Sequence, residues 1–440
     1  MNWRRRMALV LALVLALVTA ACSPEDTRTE ITVQRFFGEC GLLYGRQTDV
    51  RAADGECGIM TAMLNRFQAE NPGLKVDVNI VAWPGYNQLS AQLAAGDPPD
   101  VVVMHQSVIG DYQARGLIEP LDEPLRKVGV DPGEFTPAAL RGVTRNGNIY
   151  GLPFDSIGPL FHVNTGLFAA AGLMRGGVPV LPNSPGELLA QARQFKKATG
   201  KPYFVQSQVN DPATYVRNLY TYLMAQGEPI FTDPRHIRLR TPAARRIVLL
   251  FRHLNREGLS TRDQDPSAAA ASFMRGEGGV YPIGTWMIGD FDKEARTPGR
   301  PLFRSYAAVL YPRLFARDAA FADGHSWVVP ARSRTPAQRQ AVARFLKFMA
   351  ANGAEWSRTG HLPATLAMIA SPEFKALPHR RNIARLAEIG SPLPEGVQRQ
   401  SAIQDIVGDE LADAIGGTKP VERALSDAER RVNELLSHGI

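Results

Sequence analysis

Apolar and polar positions along this chain alternate between two periods. Leu74 to Val81 (LKVDVNIV) alternates apolar and polar, the period-2 pattern of a strand with one buried face. Upstream, Met60, Met63, Leu64 and Phe67 recur at helical spacing, and Asn71-Pro72-Gly73 ends that helix. Ile31-Thr32-Val33 predicts a short strand before it. Tyr86 to Ala95 predicts a helix stopped by Gly96-Asp97-Pro98-Pro99. Val101 to Met104 is a continuous apolar run, as a central parallel strand requires. Strand, helix, strand, helix, strand implies an α/β lobe with a mostly parallel sheet.

The pattern restarts after Gly151-Leu152-Pro153. Leu160 to Val163 predicts a strand, and so does the stretch from Gly278 to Ile283. Helical spacing recurs from Gly186 to Thr199, Asp211 to Ala225, Thr241 to Arg256, Ala268 to Arg275, Ala337 to Ala350 and Pro420 to Ser437. A chain of 440 residues has ample core for two such lobes.

The N-terminus adds a compartment. Arg4-Arg5-Arg6 precedes an apolar run from Met7 to Val18, too short for a permanent span and suited to a secretory signal over residues 1–21. Thr19-Ala20-Ala21-Cys22 resembles a bacterial lipobox, in which Cys22 is lipidated; Thr19 stands where such signals usually carry Leu. Residues 22–30 then form a polar tether. The reading is an exported, membrane-anchored lipoprotein facing the periplasm or the cell exterior. Removing the three arginines lowers the formal charge from +7 to +4, and no basic block follows, so nucleic acid is not an expected partner. Cys40 and Cys57 remain as a pair, and an oxidising compartment makes a disulfide their default; closing that loop is worth about 3 kcal/mol in the chain-entropy model. A two-cysteine metal site is the competing reading, but no His is near in sequence. The residues between them read as a stapled surface loop beside the first strand's end.

The chain has no GxxxxGK[ST], GxGxxG, HExxH, GxSxG or CxxC, and its eight histidines are scattered singly. No cofactor or metal is expected.

Several segments in order resemble the extracellular solute-binding proteins of ABC importers, in the group that includes maltose- and glycerol-3-phosphate-binding proteins. They are Phe67 to Val76 (FQAENPGLKV), Leu93 to Val101 (LAAGDPPDV), Gly116 to Leu121, Tyr150-Gly151-Leu152-Pro153, Val163-Asn164 with Leu167-Phe168 and Ala171-Gly172-Leu173, Phe273 to Val280 with Gly284-Thr285-Trp286, and Thr359-Gly360-His361-Leu362-Pro363. The insertion at residues 36–57 departs from the simplest members. The resemblance implies a two-lobed periplasmic-binding-protein fold of type II, each lobe a mostly parallel sheet flanked by helices, with ligand in the cleft between. The first lobe is then 31–150 with about 300–350 returning to it, and the second is 151–299 with much of 351–440.

A sugar needs aromatic plates for its C–H faces and short polar groups for its hydroxyls. Residues at strand ends have that character: Phe37 after the first strand, Trp83 and Tyr86 after the second, and His105, Gln106 and Ser107 after the third. By resemblance, Asp155 and Ser156 border the cleft, Asp211 and Tyr215 contact ligand, Thr285 and Trp286 supply the strongest plate, and His325, Ser326 and Trp327 lie on a cleft loop. Trp356 reads as packing. The function implied is capture of a di- or oligosaccharide by lobe closure and delivery to the permease of an ABC importer, by a monomer. One alternative is a polyol phosphate such as glycerol-3-phosphate. Another is an exported glycosidase using Asp155 and Asp211.

Overall fold

The computed structural model describes residues 28–438, so the signal and Cys22 lie outside the described residues. Strand β1 (Thr29–Arg35) leads through the Cys40–Cys57 segment into helix α1 (Gly55–Glu70). This helix starts before Met60, because Gly55, Glu56 and Cys57 continue it beyond its apolar stripe. Cys40 and Cys57 are joined by a disulfide, with Cα atoms 5.9 Å apart. The segment between them is not all loop, since it holds a turn of helix at Gly41–Tyr44.

Strand β2 (Leu74–Ile80), helix α2 (Tyr86–Ala94), strand β3 (Val101–His105) and helix α3 (Gln106–Gln113) follow. β1 pairs in parallel with both β2 and β3, setting Ile31 against Val76 and Val33 against Val101. Asp100 pins this arrangement. Its carboxylate accepts from the Thr32 amide at 3.0 Å and from buried Arg334 Nε at 3.0 Å, while Arg334 Nη1 donates to Glu119 at 2.8 Å. The sheet gains β4 (Leu152–Pro153) and a late antiparallel strand, so its order is β2-β1-β3-β9-β4, where β9 is His325–Val328. Its apolar core draws on residues 31–154 and 327–364.

Beyond β5 (Asp155–Ser156) the chain forms β6 (Pro159–Asn164), flanked by β7 (Val280–Gly284) and β8 (Tyr306–Leu310). Here the structure differs from the expectation of a mostly parallel sheet: β6 is antiparallel to both neighbours. Parallel and antiparallel buried strands carry the same continuous apolar runs, so composition does not separate them. Residues 306–310 pair in this second sheet, and the chain returns to the first core only at β9. Around the second sheet pack α4 (Pro185–Thr199), α5 (Pro212–Gln226), α6 (Pro242–Arg256), α8 (Gln400–Gly416) and α9 (Val421–Ser437), while α7 (Pro336–Ala351) covers the first. Proline opens α4, α5, α6 and α7 at the first turn, where its missing N–H costs nothing.

Three segments cross between the sheets side by side. Ile157 and Asp323 exchange both backbone hydrogen bonds (2.9 and 3.0 Å), and β5 pairs with β10 (Leu362–Pro363). No described helix is long and apolar enough to cross a membrane.

His162, buried at the centre of β6, makes a prediction of its own. Its Nε2 donates to Gly284 O at 3.1 Å and its Nδ1 accepts from Tyr306 Oη at 2.8 Å, a fully satisfied neutral ring. Burial pushes its pKa down from 6.5 to about 3. Between those values the unfolded chain binds a proton that the folded chain refuses, so stability falls as pH drops through that window. The linkage is on the order of 5 kcal/mol. Urea titrations across that window should show a shallower pH slope for His162→Gln than for the parent; equal slopes would contradict this assignment.

Candidate functional site

The carboxyl ends of β1, β2 and β3 open onto a cavity of about 630 Å³, the expected ligand position in an open α/β sheet. β1 runs into Phe36, Phe37 and Gly38. The loop after β2 brings Trp83, Pro84 and Tyr86, and β3 ends on His105 with Ser107 just beyond. β9, running the opposite way, begins at the same edge with His325. The second sheet closes the far side with Ile157, Gly158, Pro159, Ile283 and Trp286. Side chains from both cores thus face one space.

Helix α5 gives a clear local logic. Asp211 caps it, its Oδ1 accepting from Thr214 N at 3.2 Å. Ala213, Val216, Arg217 and Tyr220 recur at helical spacing and share the cavity face. Arg217 holds its guanidinium 5.2 Å above the Trp286 ring. Trp286 folds back over Gly284, where an added Cβ would stand 1.8 Å from the indole, so only glycine permits that ring position.

Behind the cavity lies a buried polar cluster. Asp155 Oδ1 accepts from His325 N at 2.8 Å, and its Oδ2 accepts from His325 Nδ1 at 2.8 Å and Trp356 Nε1 at 2.6 Å. Burial favours the neutral acid, but the charges of His325 and His361 and the His325 hydrogen bonds outweigh it, holding Asp155 at about 2. His325 is raised despite its burial, chiefly by Asp155. Tyr86 Oη accepts from His105 N at 3.0 Å and donates to His105 Nδ1 at 2.6 Å; burial and the neighbouring His325 keep His105 far below its ordinary value. Phe36 stacks on His105, with ring centroids 5.3 Å apart. Burial pushes the Glu56 carboxyl, on the first turn of α1, up to about 7.

Of the residues expected at a ligand, the structure brings Phe37, Trp83, Tyr86, His105, Ser107, Asp211, Trp286 and His325 to the cavity. Seven others stand elsewhere. Gln106 opens α3 facing backward, its Nε2 reaching Asp155 O at 3.5 Å. Asp155 lies one layer behind His325, and Ser156 is buried in the pairing with β10. Tyr215 sits on the opposite face of α5 from Arg217, inside the second core, donating to Gln208 O at 3.2 Å. Thr285 is buried, its amide donating to Gly158 O at 3.1 Å. Ser326 and Trp327 are fully buried in β9, and Trp327 packs on Phe345 with centroids 5.0 Å apart.

The cavity also holds residues that the sequence reading did not select: Glu56, Arg217, Tyr220, Asp323, His361 and, from α8, Gln400, Ser401 and Gln404. The face of α5 would have yielded Arg217 and Tyr220 by counting in helical steps from Ala213. The others depend on contacts between distant segments. α8 reaches the cavity because Gly408 lies against the start of α5, where an added Cβ would come within 2.3 Å of Pro212 Cβ. Gly408→Ala should therefore push the two helices apart, costing about 1–3 kcal/mol in denaturant unfolding. An unchanged midpoint would mean that the pair is loosely packed.

Residues 62–382 match the profile of the bacterial extracellular solute-binding proteins. The chain belongs to that family. Its members are binders of solutes, not enzymes, and work outside the cytoplasm. The chain is 24% identical to the sn-glycerol-3-phosphate-binding periplasmic protein UgpB of Escherichia coli K12 over 420 residues, covering 87% of this chain and 90% of UgpB. It is 27% identical to a putative binding protein of Brucella abortus strain 2308 over 195 residues, 44% of this chain and 46% of that protein; it thus spans about half the length of that curated relative. Among solved structures, the GacH receptor of Streptomyces glaucescens, determined unliganded and with acarbose, superposes with a TM-score of 0.76 at 16% identity, covering 94% of this chain and all of GacH. The substrate-binding protein Lmo0181 of Listeria monocytogenes, in complex with cycloalternan, gives 0.75 at 20% identity, covering 94% of this chain and all of that one. At such identities the superpositions establish the fold, which is two-lobed and of the maltose-binding type.

Proposed function

We propose that the chain is the substrate-binding component of an ABC importer and captures a neutral carbohydrate of di- or oligosaccharide size between its lobes. The observation that carries this reading is the cavity wall. Aromatic rings arrive from both cores, Phe36, Phe37, Trp83 and Tyr86 on one side and Tyr220 and Trp286 on the other, with short polar groups between them. That combination suits alternating C–H faces and hydroxyls, and the volume lies within the range of small-molecule sites. GacH and Lmo0181, whose fold is shared, were solved with saccharide-like ligands.

The UgpB match keeps glycerol-3-phosphate as the second candidate. The lining disfavours it, because Glu56, Asp211 and Asp323 face a single arginine, Arg217, itself held over Trp286. A phosphate would meet more carboxylate than guanidinium.

The lobes on this reading are residues 29–154 with 325–364, and 157–323 with 366–438, turning about the three crossing segments. Cys22 carries the lipid that tethers the protein, a monomer, to a membrane beside its permease. Calorimetric titration with a panel of neutral mono- to tetrasaccharides and with sn-glycerol-3-phosphate tests the ligand class. A neutral saccharide should bind at micromolar Kd or tighter with little dependence on salt. Binding of the phosphate alone, weakening as salt rises, would replace this reading with the second.

A further inference from the structure

His361 is held in one tautomer. The Thr359 hydroxyl donates its only proton to Trp356 O at 2.7 Å, so its oxygen accepts from His361 Nδ1 at 2.6 Å. His361 Nε2 is therefore a bare lone pair. It is wholly buried and makes no hydrogen bond. What it faces is negative: Glu56 Oε1 at 3.2 Å and Asp155 Oδ2 at 3.9 Å. With Glu56 ionised, electron pairs converge there with no donor between them, an arrangement that burial makes costly. His325 Nδ1 stands 2.8 Å from the same Asp155 oxygen, and the ligating atoms of Asp155, His325 and His361 all lie within 4.8 Å of one another.

We propose that Asp155, His325 and His361, joined by Glu56, form a binding site for a divalent transition-metal ion of the zinc class. Tetrahedral zinc with nitrogen and oxygen ligands sets neighbouring ligand atoms about 3.3 Å apart, and the separations here bracket that value. Two imidazoles with carboxylates select zinc-like ions over calcium or magnesium, which prefer oxygen throughout. The outer partners that such sites need are already in place: Thr359 orients His361, and Trp356 Nε1 donates to the Asp155 carboxylate. When the ion enters, the proton that His325 Nδ1 now gives to Asp155 passes to Nε2 of the same ring. Glu56, His325 and His361 all line the cavity, so the ion would sit at its floor, facing the captured solute.

The test uses the purified full chain stripped with chelator, titrated with zinc chloride in the calorimeter without any sugar, and counted by elemental analysis after gel filtration. One zinc per chain is expected, with magnesium and calcium silent. His361→Ala and Glu56→Gln should each weaken the site, the first by about 100-fold or more and the second by about 10-fold. Glu56 is on a partly exposed first turn of α1, so its variant remains informative should His361→Ala fail to fold. No stoichiometric zinc, or zinc binding that neither substitution weakens, overturns the proposal and leaves a proton shared between Glu56 and His361 as the group that fills the gap. Because no sugar is present, this failure is distinct from failure of the carbohydrate reading.

Discussion

Asp155→Ala is expected to lower the midpoint of thermal unfolding by roughly 6–20 °C, a large effect for one substitution behind the cavity. The carboxylate is completely buried and answers three donors: His325 N, His325 Nδ1 and Trp356 Nε1. Removing it leaves those donors unpaired and takes from His325 the carboxylate that raises its pKa. Breaking a buried pair in this way costs about 3–5 kcal/mol, and each kcal/mol moves the midpoint of a domain of about 200 residues by roughly 2–4 °C. The damage falls where the chain crosses between lobes, since β5, β9 and β10 meet at this carboxylate. Asp155→Asn keeps the volume and one acceptor and should lose less. Differential scanning fluorimetry of both variants checks the claim; an Ala variant within 1–2 °C of the parent would show that the cluster contributes nothing to the fold.

Trp286→Ala should weaken binding of the captured saccharide by about 30-fold or more, near 2 kcal/mol, with little change in folding stability. The indole forms part of the cavity wall on the second lobe and is held from two sides, by the Gly284 backbone and the Arg217 guanidinium. A ring fixed before ligand arrives loses little entropy on contact. Trp286→Phe keeps an aromatic plate and should recover most of the loss. Calorimetry with the tightest saccharide of the panel measures both, and unchanged affinity in the Ala variant would remove Trp286 from the binding surface.

Local pattern revealed most of the elements, and about half of the residues expected at a ligand line the cavity, for an identifiable reason. Residues at or just beyond the end of a parallel strand, such as Phe37, His105 and Ser107, are placed by one element, and the period of that element is visible in sequence. Tyr215 and Arg217 show the limit. Both follow an evident helix cap at Asp211, but which face of α5 meets the cavity depends on where α8 and the second sheet pack. The family resemblance puts Asp155 at the border of the cleft. Its partners, His325 and Trp356, lie 170 and 201 residues away in sequence, and only their arrival turns it inward. Trp327 is drawn into the core in the same way, one pleat deeper than His325 on the same strand. Glu56 reached the cavity through the disulfide-stapled start of α1, a position that the irregular composition around Cys40 did not betray.

Lobe closure around a solute is the centre of this account, and small-angle X-ray scattering reads it directly. With the saccharide that binds most tightly, the radius of gyration of the chain should fall measurably on saturation and recover when the sugar is removed. Scattering curves that overlay with and without that bound sugar would contradict closure.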